Sequence, residues 1–294
     1  MAGLADNIRL EELKPELGLG VRVTGLDLAS NAVEQNADAL RDAFARYACI
    51  VVEAPDLDPD DQVRVARVFG RADADFVGKP NDPGKLGQDG RPKRGIMFIS
   101  NKKKEEGGVM GELPDGELHF HSDGAHRASP YRGTTLYSME IPSTGGETKI
   151  ADLRAAYDDL SGDMKQRLEG LKAHNIYDTR ATLREQTDET DDRLSNAVHS
   201  LVRTHPDTGR KLLNVNYNWT TQIADLPAAE SRAILAFLYE HIKSPEFQVR
   251  LRWQPGDIAF WDNRAVQHYA VPDWSGRRVM QRIAIAGEAA PIPA

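Results

Sequence analysis

The chain has 294 residues, 40% hydrophobic and 28% charged, which allows one large domain or two small ones with a full buried core. Lys and Arg total 37 against 45 Asp and Glu, and the net charge of -8 argues against a nucleic-acid or anionic-membrane partner. A single cysteine, Cys49, excludes an internal disulfide and a thiolate metal cluster, so any metal must sit on His and carboxylates.

The N-terminal segment has no apolar run of signal-peptide length, and no stretch approaches the ~20 apolar residues of a membrane span. A soluble, cytoplasmic protein is the expectation. Residues 20–24 read as a strand, and Leu40, Ala43, Phe44 and Tyr47 recur at the spacing of one helix face. Cys49 to Glu53 follows as a strand. Asp58 and Pro59 look like an N-cap and first helical position, with Gly70 where a stop belongs. Residues 78–95 are too rich in Gly and Pro for a regular element and are long for a loop inside a domain, which predicts a functional lid. Ile96 to Ser100 returns to strand character, and a charged run at 102–106 reads as a solvated loop.

A helix is expected over 153–170, with Asp152 and Ser161 as candidate caps, and another polar loop at 187–193. The plainest helix spans 227–243, with Ile234, Leu235, Leu238 and Ile242 on one face. Beyond it, Val249, Leu251 and Trp253 alternate with Gln248, Arg250 and Arg252 before a Pro255-Gly256-Asp257 turn, the pattern of antiparallel sheet. No internal repeat is present, and the sum is a β-rich core with helical additions.

Of the 8 histidines, His121 stands two residues before Asp123, and in a strand both side chains would project from one face. Alone, such a pair arises often by accident. His268 lies at the end of a second strand-like run, and two His with one carboxylate form the facial set that suits non-haem Fe(II) and leaves three positions open. His126, three residues past Asp123, would line the entrance, whereas His119 reads as a packing residue. On the last long strand Arg278 and Arg282 share a face with Cα atoms roughly 13 Å apart, which suits two anionic groups in one cavity unless both face solvent.

Phe120 to Asp123 (F-H-S-D), Pro142 to Thr148 (P-S-T-G-G-E-T), Trp261 to His268 (W-D-N-R-x-x-x-H) and Arg277 to Arg282 (R-R-V-M-Q-R) together resemble the taurine dioxygenase / 2,4-dichlorophenoxyacetate dioxygenase family. The likeness runs over residues 21–287. It implies Fe(II) as cofactor, 2-oxoglutarate as cosubstrate, and a β-rich α+β fold. That fold would be one double-stranded β-helix (a cupin-like jelly roll) with flanking helices, spanning residues 1–294.

Carried over, the resemblance makes His121, Asp123 and His268 the catalytic iron ligands. Thr148 and Arg278 become partners of the distal carboxylate of 2-oxoglutarate, and Arg282 the partner of the substrate's acidic group. His126, Glu117, Tyr217 and Asn218 would surround the rest of the substrate. The reaction implied is hydroxylation by O2 of a small or medium organic anion, carboxylate or sulfonate, with release of succinate and CO2. Asp at 123 leaves no vacancy for a halide. Glu117 and the stretch FGRADADF at 69–76 depart from the taurine-specific pattern, and Gly124, Ala125 and His126 stand where aryloxyalkanoate-type members carry bulkier groups. Two other readings use the same ligands: a metal-binding jelly-roll sensor without turnover, and a zinc hydrolase, although the HExxH helix of the latter is missing. The sequence leaves the oligomeric state open, a homo-oligomer included.

Overall fold

The computed structural model describes residues 5, 7–72, 96–103, 107–108, 111, 113, 118–177 and 195–294; the loop expected as a lid at 78–95, the loop at 187–193 and Glu117 lie outside the described residues. Strands β1 (Arg9–Lys14) and β2 (Leu19–Thr24) pair as an antiparallel hairpin. A short α1 (Ala32–Gln35) leads into α2 (Ala37–Tyr47), which buries Leu40, Ala43, Phe44 and Tyr47, the face their spacing marks. Ala48, at φ 56°, ends that helix in the left-handed region and turns the chain at once into β3 (Cys49–Glu53). The Asp58 carboxylate accepts from the Asp60 amide and Pro59 opens α3 (Pro59–Phe69), as the capping signals predict.

Strands β4 (Ile96–Ser100), β5 (Gly133–Glu140) and β6 (Thr148–Asp152) follow. The single helix expected over 153–170 is two, α4 (Leu153–Asp159) and α5 (Gly162–Leu168). Leu160 is extended, and the Ser161 hydroxyl accepts from the Met164 amide to start a second helix, so the residue read as an alternative cap is an internal break. Short strands β7 (Lys172–Ile176), β8 (Asn196–Ser200), β9 (Val202–Thr204), β10 (Lys211–Leu213) and β11 (Thr220–Ile223) precede α6 (Ala228–Ile242). The chain closes with β12 (Gln248–Leu251), β13 (Asp257–Asp262), β14 (Val266–Ala270), β15 (Val279–Ile285) and β16 (Ile292–Pro293).

The large sheet runs β1-β2-β3-β13-β5-β15-β4, antiparallel throughout except for β2 beside β3. A small sheet, β12-β6-β14, faces it: Cys49, Val51, Leu136, Ala259, Trp261 and Met280 of the large sheet pack against Ile150, Val249, Leu251 and Val266 of the small one. Helices α2 and α3 cover the opposite face of the large sheet through Leu40, Phe44, Val65 and Phe69. Helices α4 and α6 cover the small sheet's outer side. The fold is therefore a strand-rich α+β arrangement. Among the described residues no helix is long and apolar enough to cross a membrane.

A buried ion pair ties the helical layers together. Asp152 ends β6, caps α4 through the Arg154 amide, and accepts the Arg154 guanidinium at 2.7 Å; both side chains are 1% exposed. The other arm of Arg154 donates to the carbonyls of Ala45 and Arg46 in the last turn of α2. Removing the carboxylate would strand a buried cation and one helix start. Asp152→Ala is expected to lower stability by about 3 to 5 kcal/mol in urea unfolding, and a loss below about 1 kcal/mol would contradict this account.

Candidate metal and cosubstrate site

His121 and His268 meet backbone to backbone. The His121 amide donates to the His268 carbonyl at 3.1 Å and the His268 amide donates back at 2.9 Å, a single antiparallel bridge that sets the two imidazoles 4.2 Å apart. His268 lies inside β14, opposite Ile150 of β6. The strand expected around His-x-Asp is absent: His121 makes only this bridge, and the chain then turns through residues 123–126 with Gly124 at φ 72°. That turn swings Asp123 toward the large sheet while its Oδ1 stays 3.6 Å from His121 Nε2. His121, Asp123 and His268 each offer one donor atom within 4.8 Å of the others, a set that could hold one metal ion.

The protonation states suit cation binding. His121 Nδ1 donates to the His119 carbonyl at 2.7 Å, which leaves Nε2 as the lone-pair nitrogen. Burial and the neighbouring His121 push His268 down to about 3. Burial alone would raise the Asp123 carboxyl, but Arg282 with His268 and His121 outweighs it and holds the group well below the carboxylate range. A neutral His268 imidazole and one carboxylate result, with His121 Nε2 facing the same space.

Arg282, on β15, places its Nη2 2.9 Å from Asp123 Oδ2. An internal carboxylate thus pairs with the guanidinium that the resemblance assigns to the substrate's acid. Arg278 differs. It is 3% exposed, its Nε donates weakly to the Gly146 carbonyl at 3.3 Å, its guanidinium lies 5.1 Å from the Trp274 ring, and its Nη2 is buried without a partner among the described residues. Among the described residues no carboxylate pairs with it, and burial pushes it down to about 10. The Thr148 hydroxyl accepts from the Trp253 indole at 3.0 Å, so its one proton can be given to a further acceptor. A buried guanidinium short of an anion and a hydroxyl with a proton to donate fit the distal carboxylate of 2-oxoglutarate. Gly146, whose carbonyl takes the bond from Arg278 Nε, sits at φ +71°, a left-handed conformation that favours glycine.

His126 donates to or accepts from Ser195 Oγ at 2.9 Å and packs on Tyr177 and Trp219; the latter ring also lies edge-on to His121 at 6.0 Å. Asn218 is buried with Oδ1 unpartnered among the described residues. Tyr217 packs on the rings of His119 and Tyr239, with Lys243 Nζ 5.2 Å from its ring centroid. The sequence assigns no site role to Trp219, Trp253, Thr134 or Asn263. Asn263 lies inside W-D-N-R, and its side chain contacts Asp123 and Thr134. A second group, His205, Asp207 and Asp262, has metal-like spacing, but Arg264 already occupies both carboxylates.

Residues 9–284 match the family described as taurine catabolism dioxygenase TauD, TfdA family. An alpha-ketoglutarate-dependent 2,4-dichlorophenoxyacetate dioxygenase of Burkholderia sp. is 32% identical over 82% of this chain and 82% of its own. An (S)-phenoxypropionate/alpha-ketoglutarate-dioxygenase of Sphingobium herbicidovorans is 31% identical over 92% of this chain and 93% of its own. The crystal structure of a taurine dioxygenase from Burkholderia xenovorans superposes with a TM-score of 0.77 at 25% identity, covering 98% of this chain and 93% of that one.

The buried imidazoles give the stability a pH signature. Burial lowers His119, His126, His199 and His268, the third of these despite a bond from its ring to the Arg127 carbonyl. Between the unfolded value near 6.5 and the lowered folded values, the unfolded chain binds more protons than the folded one. Stability is thus fully present above about pH 6.5 and falls on acidification toward the lowered folded values. Denaturant unfolding of the metal-free protein should show this loss between pH 7 and pH 5; equal stability at both would contradict it.

Proposed function

The chain belongs to the taurine catabolism dioxygenase TauD, TfdA family and is a non-haem iron oxidoreductase that uses 2-oxoglutarate; we propose that its primary substrate is a small or medium organic anion, a carboxylate or sulfonate. In this reading the whole chain is one double-stranded β-helix domain, built from the facing sheets around β13 and β6, with the metal between them. His121, Asp123 and His268 hold the metal. When bound, iron and 2-oxoglutarate would supply, with O2 as oxidant, oxidative decarboxylation to succinate and CO2 coupled to hydroxylation of a substrate C–H bond.

The chain's own residues position and shield. Arg278 and Thr148 grip the distal carboxylate of 2-oxoglutarate, and the charge-assisted contact fixes its orientation. The observation that carries this reading is the buried Arg278 guanidinium without an acidic partner among the described residues. A site that merely stores or senses a metal has no use for it. His126, Trp219 and Asn218 wall the space next to His121, and Trp219 keeps water from that imidazole edge. Arg282 serves two ends, holding Asp123 and placing positive charge where the substrate's acid would lie. The anions in the names of the two relatives, 2,4-dichlorophenoxyacetate and (S)-phenoxypropionate, support the substrate class.

Arg278→Ala should raise the 2-oxoglutarate requirement by the equivalent of about 2 to 5 kcal/mol, because the partner charge is left unpaired in a closed site. Thr148→Ala should do less. An unchanged requirement in the Arg278 variant would move the clamp elsewhere. Substrate class is tested by succinate release on aryloxyalkanoates, sulfonates, sulfate esters and polar amino-acid-like acids. Anions should stimulate release above the uncoupled level, and a preference for neutral compounds would overturn the reading.

A further inference from the structure

Asp123 begins and ends a closed ring of three hydrogen bonds that no metal ligand other than itself belongs to. Its backbone amide donates to Asn263 Oδ1 at 3.3 Å, Asn263 Nδ2 donates to Thr134 Oγ1 at 3.0 Å, and the Thr134 hydroxyl donates to Asp123 Oδ2 at 2.6 Å. The direction around the ring is fixed. The amide proton of Asp123 can only be given, so it selects the carbonyl end of the Asn263 side chain; this turns the Asn263 amino group toward Thr134, whose single proton is left for Asp123. Thr134 is fully buried and Asn263 is 2% exposed, so water does not compete at either residue. With Arg282 Nη2 at 2.9 Å, Oδ2 receives two donors, while Oδ1 is the oxygen turned to His121 Nε2.

We propose that Thr134 and Asn263 are positioning residues that lock the Asp123 carboxylate so that it offers one oxygen, Oδ1, to the metal. The consequence is a coordination count. A carboxylate that turned to bind through both oxygens would take a position that 2-oxoglutarate or O2 requires, and the ring removes the rotation that would allow it. Thr134 is suited to this because β5 is inflexible there: it is paired with Trp261 of β13 on one side and Ala284 of β15 on the other. Asn263 follows directly on β13, with its backbone carbonyl held by the buried Arg203 guanidinium at 3.0 Å. The proposal rests on Asp123 being a metal ligand, and the experiment separates the two ideas.

Co(II) is the probe, titrated into full-length protein while its visible ligand-field absorption is followed. Wild-type protein should bind, and Asp123→Ala should lose binding; failure of either refutes the ligand assignment itself. Thr134→Val, which keeps the shape and deletes the hydroxyl, should weaken Co(II) by about 10-fold to 100-fold and change the band intensity as the coordination changes. Thr134→Ser should restore both to near the wild-type values. If Thr134→Val binds within twofold of wild type with the same spectrum, the ring positions nothing. Should that variant fail to fold, judged by its melting curve, Thr134→Ser still decides: loss of affinity there, with the hydroxyl present, overturns the proposal, and wild-type affinity alongside weakened binding in Asn263→Ala supports it.

Discussion

The reciprocal pair of backbone hydrogen bonds between His121 and His268 is the constraint on which the site depends. Two ligands 147 positions apart in number are placed side by side by main-chain geometry, with no reliance on side-chain rotamers for their approach. The bridge in turn needs β14 to be held, and β6 holds it along five paired residues from Val266 opposite Asp152 to Ala270 opposite Thr148. The same β6 strand thus positions one histidine and carries Thr148, whose hydroxyl belongs to the proposed cosubstrate clamp. Its far end, Asp152, anchors Arg154 and the helices beyond.

Both halves of the site straddle the seam between the facing sheets. The histidines belong with the small sheet; Asp123 is fastened to the large one through Thr134 on β5 and Arg282 on β15. Likewise Thr148 comes from the small sheet, while Arg278 immediately precedes β15 of the large sheet. A shift of one sheet against the other would therefore disturb the ligand set and the clamp together. The charges follow one logic. Asp123 is given two donors and stays ionised, whereas Arg278 is buried with no acid among the described residues, so folding leaves one anionic need to be met by a bound molecule.

Much of this was legible in the sequence where periodicity or a special residue marked it. Cys49–Glu53 and Ile96–Ser100 coincide with β3 and β4, and Asp58-Pro59 and Gly70 bracket α3. The failures have physical reasons. The break at Leu160 was invisible because Ser161 is acceptable both inside a helix and as a cap. The strand β1 was passed over because its pattern is exposed and charged, set by pairing with β2 and not by burial. His-x-Asp was read as a strand pair, whereas one bridge and a turn at Gly124 bring the two side chains together. That Asp123 is the acidic side chain beside Arg282 was not legible, since nothing in the spacing announces a contact between residues so far apart. Thr134 carried no signal at all: threonine in a strand looks like β-propensity, and only the fold gives its hydroxyl a carboxylate.

The claim that the three ligands, Thr148 and Arg278 form a single site for metal and cosubstrate is tested most directly by anaerobic titration of the protein with Fe(II) and then 2-oxoglutarate. The account predicts one Fe(II) per chain and, on adding 2-oxoglutarate, a visible charge-transfer absorption that succinate, which lacks the keto group, does not produce. Binding of 2-oxoglutarate with the same affinity in the presence and absence of Fe(II), with no such absorption, would contradict it.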